Sequence, residues 1–136
     1  MTGDTPDTSV VVAGLSSWHP DHDRARRVLA DRPRVVAHVL VESYSVLTRL
    51  PRSRGLEPSI AFAALSQAFR GQPIALPARR VWPLLQRLNA AGISGGATYD
   101  GLVAESARVA GLRLISLDVR ALSTYSAVGV DVEWIG

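Results

Sequence analysis

The sequence predicts an α/β layered domain with a central, mostly parallel sheet, on three observations. Short apolar runs alternate with segments of helical spacing along the chain. One stretch, residues 95–122, reads as a complete helix–strand unit. Acids fall at the ends of such elements, where open α/β sheets present their ligand sites. With 136 residues and no internal repeat or linker, the chain is expected to form a single domain over 1–136.

The elements follow in order. After Pro6-Asp7-Thr8-Ser9 comes Val10-Val11-Val12-Ala13-Gly14-Leu15, which β-propensity alone makes a strand. Pro20-Asp21-His22-Asp23 puts acids in the first turn of a helix reaching Ala30. Residues 34–37 are a short strand candidate. Leu40, Val41, Tyr44 and Leu47 then recur at helical spacing within 38–50, and Pro51 ends that helix. Glu42 sits one position off this apolar stripe.

Arg52-Ser53-Arg54-Gly55 is a charged turn. Pro58 suits the first turn of a helix that runs to Phe69 and is closed by Gly71. Residues 73–76 could form a short strand. Residues 78–91 have a helical pattern, with Pro83 either early in the helix or kinking it. After a loop at 92–96, Thr98 is the expected N-cap of a helix carrying Leu102, Val103, Ala107 and Ala110, with Gly111 placed for a left-handed C-terminal cap. Residues 112–117 form an apolar strand of the kind buried on both faces, closed by Asp118. A short helix at 121–127 and a strand at 130–135 complete the chain.

Composition excludes several classes. Apolar residues make up 47% of the chain, yet no run approaches the roughly 18 residues of a membrane span. The opening MTGDTPDT is polar and acidic, unlike a signal peptide, so a cytoplasmic protein is expected. There is no cysteine, which removes disulfides, thiolate zinc sites and cysteine nucleophiles. All 15 basic residues are arginine. Arginine suits phosphate, although a GC-rich genome explains the bias equally well.

Four acids share one context: Asp7, Glu42, Asp100 and Asp118 each adjoin apolar sequence at an element end or helix flank. Asp100 lies in a first helical turn, favoured by the macrodipole, and Asp118 at the carboxyl end of a strand. A cluster of carboxylates repels itself and persists only with bound cations or shared protons. Hard oxygen donors point to Mg²⁺ or Mn²⁺, and such a site suits displacement at phosphorus.

Other groupings are weaker. His19 and His22 lack a third ligand at metal spacing. Gly95-Gly96 matches no phosphate-binding loop. Ser9, Ser16 and Ser116 have no triad signature. Trp18, Trp82 and Trp134 are expected to be packing residues rather than base-stacking platforms.

Taken in order, these pieces resemble a PIN domain, specifically a VapC-type toxin of a bacterial toxin–antitoxin pair. The matching segments are P-D-T-S-V at 6–10, H-P-D-H at 19–22, V-E-S-Y-S-V-L-T-R-L-P at 41–51, Y-D-G-L-V-A-E-S-A-R at 99–108, L-I-S-L-D-V-R-A at 114–121 and G-V-D-V-E at 129–133. The resemblance spans essentially the whole chain and implies a three-layer α/β/α fold. It places Asp7 at the end of the first strand, so that residues 10–15 open a helix instead of forming a strand.

It further implies an Mg²⁺- or Mn²⁺-dependent endoribonuclease. Asp7, Glu42 and Asp100 would be metal ligands, and Asp118 a ligand directly or through water. Ser9 and Ser116 would steady the acids by hydrogen bonds. Arg49, Arg52, Arg54 and Arg120 are candidates to hold RNA backbone. Implied partners are an RNA substrate, a second copy in a homodimer, and a cognate VapB-type antitoxin docking on apolar helices such as 59–69. Two departures stand out: Pro6 interrupts the first strand, and Arg120 stands where some PIN nucleases carry a further acid. Phosphoaspartyl enzymes are poor fits, because Asp7-Thr8-Ser9 lacks their second Asp and the chain has no lysine.

Overall fold

The computed structural model describes residues 3–51 and 53–136. Three short strands, β1 (Asp4–Pro6), β2 (Arg113–Ser116) and β3 (Val132–Trp134), form a parallel sheet in the order β1-β2-β3. Seven α-helices accompany them among the described residues: α1 (Thr8–Gly14), α2 (His22–Ala30), α3 (Ala37–Arg49), α4 (Pro58–Ala68), α5 (Val81–Ala90), α6 (Ala97–Val109) and α7 (Leu122–Val128).

The pleat of β2 sorts the core into two layers, because successive strand side chains point to opposite faces. Leu114 joins the larger cluster with Val39, Leu47, Val103, Ala107 and Tyr125. Ile115 joins the smaller one with Val10, Ala13 and Ala25. Helices therefore cover both faces, and the predicted α/β/α architecture is observed.

Pro6 is accommodated because β1 lies at the edge of the sheet, where its missing N–H removes no bond to an outer strand. Beyond it, Asp7 N–H donates to the Ile115 carbonyl at 2.9 Å.

Several expected boundaries are corrected. Residues 10–14 are helical, not a strand, and Leu15 ends the helix: the Asp7 side chain caps α1 by accepting from Val10 N–H, and Val10 and Val11 are fully buried. Capping and two-sided burial override β-propensity here. The strands expected at 34–37 and 73–76 shrink to one parallel bridge, Val36 with Ile74. Thr98 lies inside the first turn of α6; Gly96 is the N-cap and supplies no side-chain bond. Pro83 sits in the first turn of α5, where no intrahelical bond requires its N–H, so it does not kink the helix.

Gly111 caps α6 as expected, with φ 72°. Its N–H donates to Arg108 O and the next, from Leu112, to Ala107 O, closing a Schellman turn that feeds the chain into β2.

Candidate active site

Each acid is carried by a different element. Asp7 joins β1 to α1, Glu42 projects from α3, Asp100 lies in the first turn of α6, and Asp118 follows β2. All four line one small recess of about 50 Å³, together with Thr8, Ser9, Val103 and Tyr125. An adjoining cleft of about 620 Å³ shares Thr8, Ser9, Glu42, Asp100 and Asp118 with it and adds Arg49 and Arg120.

Asp7 is the deepest acid, 3% exposed, while the other three are half-buried. Its Oδ1 accepts from Ser9 Oγ and, at 3.3 Å, from Val10 N–H; its Oδ2 accepts from the Tyr125 hydroxyl at 2.7 Å. Burial pushes the Asp7 carboxyl above the usual range, against the opposing pull of the Ser116, Ser9 and Tyr125 hydroxyls and Val10 N–H. Asp100 is raised to about 6, by desolvation first and then by repulsion from Asp118, Glu42 and Asp7, with Arg120 opposing. Three neighbouring carboxylates thus act on one.

The two serines differ in what they hold. Ser9 Oγ donates to Asp7 and accepts Leu117 N–H at 2.9 Å, tying the start of α1 to the end of β2. Ser116 Oγ accepts Asp118 N–H at 3.0 Å, so it fixes the backbone that carries that acid. Asp118 in turn caps a 3-10 turn at Val119–Ala121 through Arg120 N–H.

Among the arginines, Arg49 and Arg120 line the cleft, and Arg120 Nε lies 3.8 Å from Asp118. Arg54 instead stacks over the Trp18 ring at 4.8 Å, with its carbonyl accepting the indole N–H. Arg52 lies outside the described residues. His19 and His22 serve the backbone: His19 Nδ1 accepts Asp21 N–H, and His22 Nδ1 lies 2.9 Å from Ala13 O. The packing role expected of the tryptophans fails: Trp82 is 78% and Trp134 49% exposed, and Trp18, 39% exposed, lies outside the core against Arg54.

Tyr125 is the site residue that sequence reasoning missed. It lies on α7, seven positions beyond Asp118, in the segment Ser-Thr-Tyr-Ser that carries no motif. Only packing brings its hydroxyl to Asp7.

Whether these residues suit a divalent cation can be judged from the donors. Among the described residues, no group of three or more His, Asp or Glu side chains forms a set that could hold a metal ion as it stands. The chemistry nevertheless fits: four hard carboxylates face one recess, and the half-exposed Glu42 and Asp118 can turn towards it. The buried Thr8 Oγ1, on the same recess, has no hydrogen-bond partner among the described residues.

This fold and this acidic recess define a class. The PIN domain family profile matches residues 5–126, and the chain belongs to that family. It is 42% identical over 130 residues to ribonuclease VapC40 of Mycobacterium tuberculosis, covering 96% of this chain and 97% of that one. It is 39% identical over 127 residues to ribonuclease VapC27 of the same organism, covering 93% and 92%. Among solved structures, FitAcB from Neisseria gonorrhoeae superposes with a TM-score of 0.67 at 19% identity, covering 94% of each chain. VapBC2 from Rickettsia felis, bound to a promoter DNA fragment, superposes with a TM-score of 0.65 at 14% identity, covering 97% and 98%.

Proposed function

We propose that this chain is a toxin-type endoribonuclease, dependent on Mg²⁺ or Mn²⁺, that cuts single-stranded or loop RNA such as tRNA, rRNA or mRNA. The observation that carries this reading is the convergence of four carboxylates on one recess, with Asp100 raised to about 6 by burial and by its neighbours. The ribonuclease names of its two curated relatives support it.

In this reading Asp7, Glu42, Asp100 and Asp118 hold the cation. When bound, it neutralises phosphate charge and lowers the pKa of a water for attack on phosphorus. The chain's own residues supply the rest. Asp7 is fixed through both oxygens, Ser9 locks α1 to β2, and Arg49 and Arg120 offer donors to the RNA backbone along the cleft. Hydrolysis would leave 5′-phosphate and 3′-hydroxyl ends.

A cognate VapB-type antitoxin is the proposed inhibitor. Between α3 and α4 runs an apolar groove of about 290 Å³ lined by Leu40, Val41, Tyr44, Phe62, Leu65 and Ser66, with Phe62 68% exposed. An amphipathic segment lying there, with a basic side chain reaching the acids, would block the site. The active protein is proposed to be a homodimer.

The test is cleavage of total RNA by purified protein with Mg²⁺, Mn²⁺ or EDTA, beside Asp7→Ala and Asp100→Ala proteins. Discrete cuts that need metal and vanish in both variants are expected. RNA that is bound but stays whole with either metal would instead make the chain a non-cleaving binding module.

A further inference from the structure

The acids of the recess differ in how firmly they are held. Glu42 and Asp118 are partly exposed, with 43% and 37% of their side chains accessible. Asp7 accepts from residues next to it in sequence, Ser9 and Val10, and the Ser116 hydroxyl also acts on it. A further bond comes from Tyr125, 118 positions away, on a helix that carries none of the acids.

We infer that Tyr125 is a positioning residue for the cation site, its hydroxyl setting which oxygen of Asp7 faces the recess. This rests on the reading of the four acids as a divalent-cation site. Oδ1 accepts from Ser9 and Val10, and Oδ2 accepts from Tyr125, so the phenol holds the oxygen that neither neighbour in sequence engages. Tyr125 itself lines the recess beside all four acids.

Tyr125 is well placed to be rigid. It is 2% exposed, and its ring belongs to the larger core with Leu47, Val103 and Leu114. Its carbonyl accepts from Gly129 and Val130 N–H, closing α7. Arg87 of α5 donates to Val128 O at 2.9 Å, bracing the same turn. A phenol seated this way offers one donor in one direction. Partners that orient ligating carboxylates in this manner typically alter metal affinity 10- to 100-fold when removed.

The experiment measures Mn²⁺ affinity by electron paramagnetic resonance for the wild-type, Tyr125→Phe and Asp7→Asn proteins. Phe keeps the ring and its packing while removing the hydroxyl. The expected result is binding weakened by about 10-fold in Tyr125→Phe and lost in Asp7→Asn, with the circular dichroism spectrum of Tyr125→Phe unchanged. Affinity within about twofold of wild type in Tyr125→Phe, with Asp7→Asn still losing the ion, overturns the role of Tyr125 and leaves the site reading intact. Unimpaired binding in Asp7→Asn overturns the site reading and this inference with it.

A second measurement needs no substitution at 125. Wild-type protein carrying 3-fluorotyrosine at its three tyrosines is titrated with Mg²⁺ and followed by ¹⁹F NMR. Tyr44→Phe and Tyr99→Phe proteins assign the remaining resonance to Tyr125. That resonance is expected to shift on Mg²⁺ binding; a resonance that stays still while Asp7-dependent binding persists overturns the inference.

Discussion

The Ser9 hydroxyl and the Leu117 backbone meet at 2.9 Å, with Ser9 accepting the Leu117 N–H while donating to Asp7. This one hydroxyl joins the segments that carry two of the four acids, Asp7 at its own helix start and Asp118 one residue beyond Leu117. Ser9→Ala leaves Leu117 N–H without its acceptor and Asp7 Oδ1 short of a donor. The expected cost is about 1–3 kcal/mol of stability, together with a clear loss of RNA cleavage. Denaturant unfolding and a cleavage assay check both; an unaffected stability would mean that water replaces the hydroxyl fully.

Asp100 gives the protein a pH dependence of definite sign. Its pKa is raised from 3.8 to about 6, so between those values the folded chain keeps a proton that the unfolded chain has released. The resulting contribution is fully present below pH 3.8 and is lost as pH rises through about 6. Without metal, the melting temperature is expected to fall between pH 5 and pH 7. Mg²⁺ should restore more of it at pH 7 than at pH 5, and Asp100→Asn should flatten the slope. Thermal melts across that range are the check.

Glu105 is an acid of the opposite kind. It is 2% exposed on α6, accepts from Arg108 Nε at 2.6 Å and Nη2 at 3.2 Å, and lies 3.6 Å from Arg87 of α5. The Arg108 hydrogen bond leads the causes that hold its carboxyl below the usual range, so its contribution is present above about pH 4.5 and fades as pH falls further. Arg108→Ala is expected to destabilise by about 1–3 kcal/mol, less than a fully buried pair, because Arg108 is itself 35% exposed. Glu105→Leu should cost less than Arg108→Ala, since it leaves no buried charge behind. Urea midpoints of the two variants decide the order.

The groove between α3 and α4 makes a prediction that separates inhibition from catalysis. Phe62→Glu places a charge on an exposed wall of this groove, whose lining includes none of the four acids. Capture of a cognate VapB-type antitoxin should weaken at least tenfold, roughly the 1.4 kcal/mol that corresponds to a factor of ten, while cleavage by the free protein stays unchanged. Titration calorimetry and a cleavage assay together read the two effects.

Much of this was legible along the chain. Periodicity finds α3 and α4, Gly111 marks the end of α6, and Asp118 stands at the end of β2 because each signal is local. The four acids could be picked out because each adjoins apolar sequence at an element end or helix flank, and their order resembles the family pattern. What escaped depends on the third dimension. The valines of α1 are β-formers that tertiary burial and an Asp7 cap turn helical. Residues 34–37 and 73–76 have strand composition but meet at only one bridge. Tyr125 looks like any core aromatic until its hydroxyl is seen against Asp7, 118 positions earlier.

The most direct measurement is the titration of Asp100 itself, by carbon-detected NMR of protein labelled at its aspartate carboxyls, with Asp100→Asn for assignment. A pKa near 6 is expected without metal, with a fall towards the ordinary aspartate range when Mg²⁺ is added, because a cation held by the four acids would relieve the repulsion of three neighbouring carboxylates. An Asp100 that titrates near 3.8 with or without Mg²⁺, or stays near 6 in saturating Mg²⁺, would contradict a shared cation site.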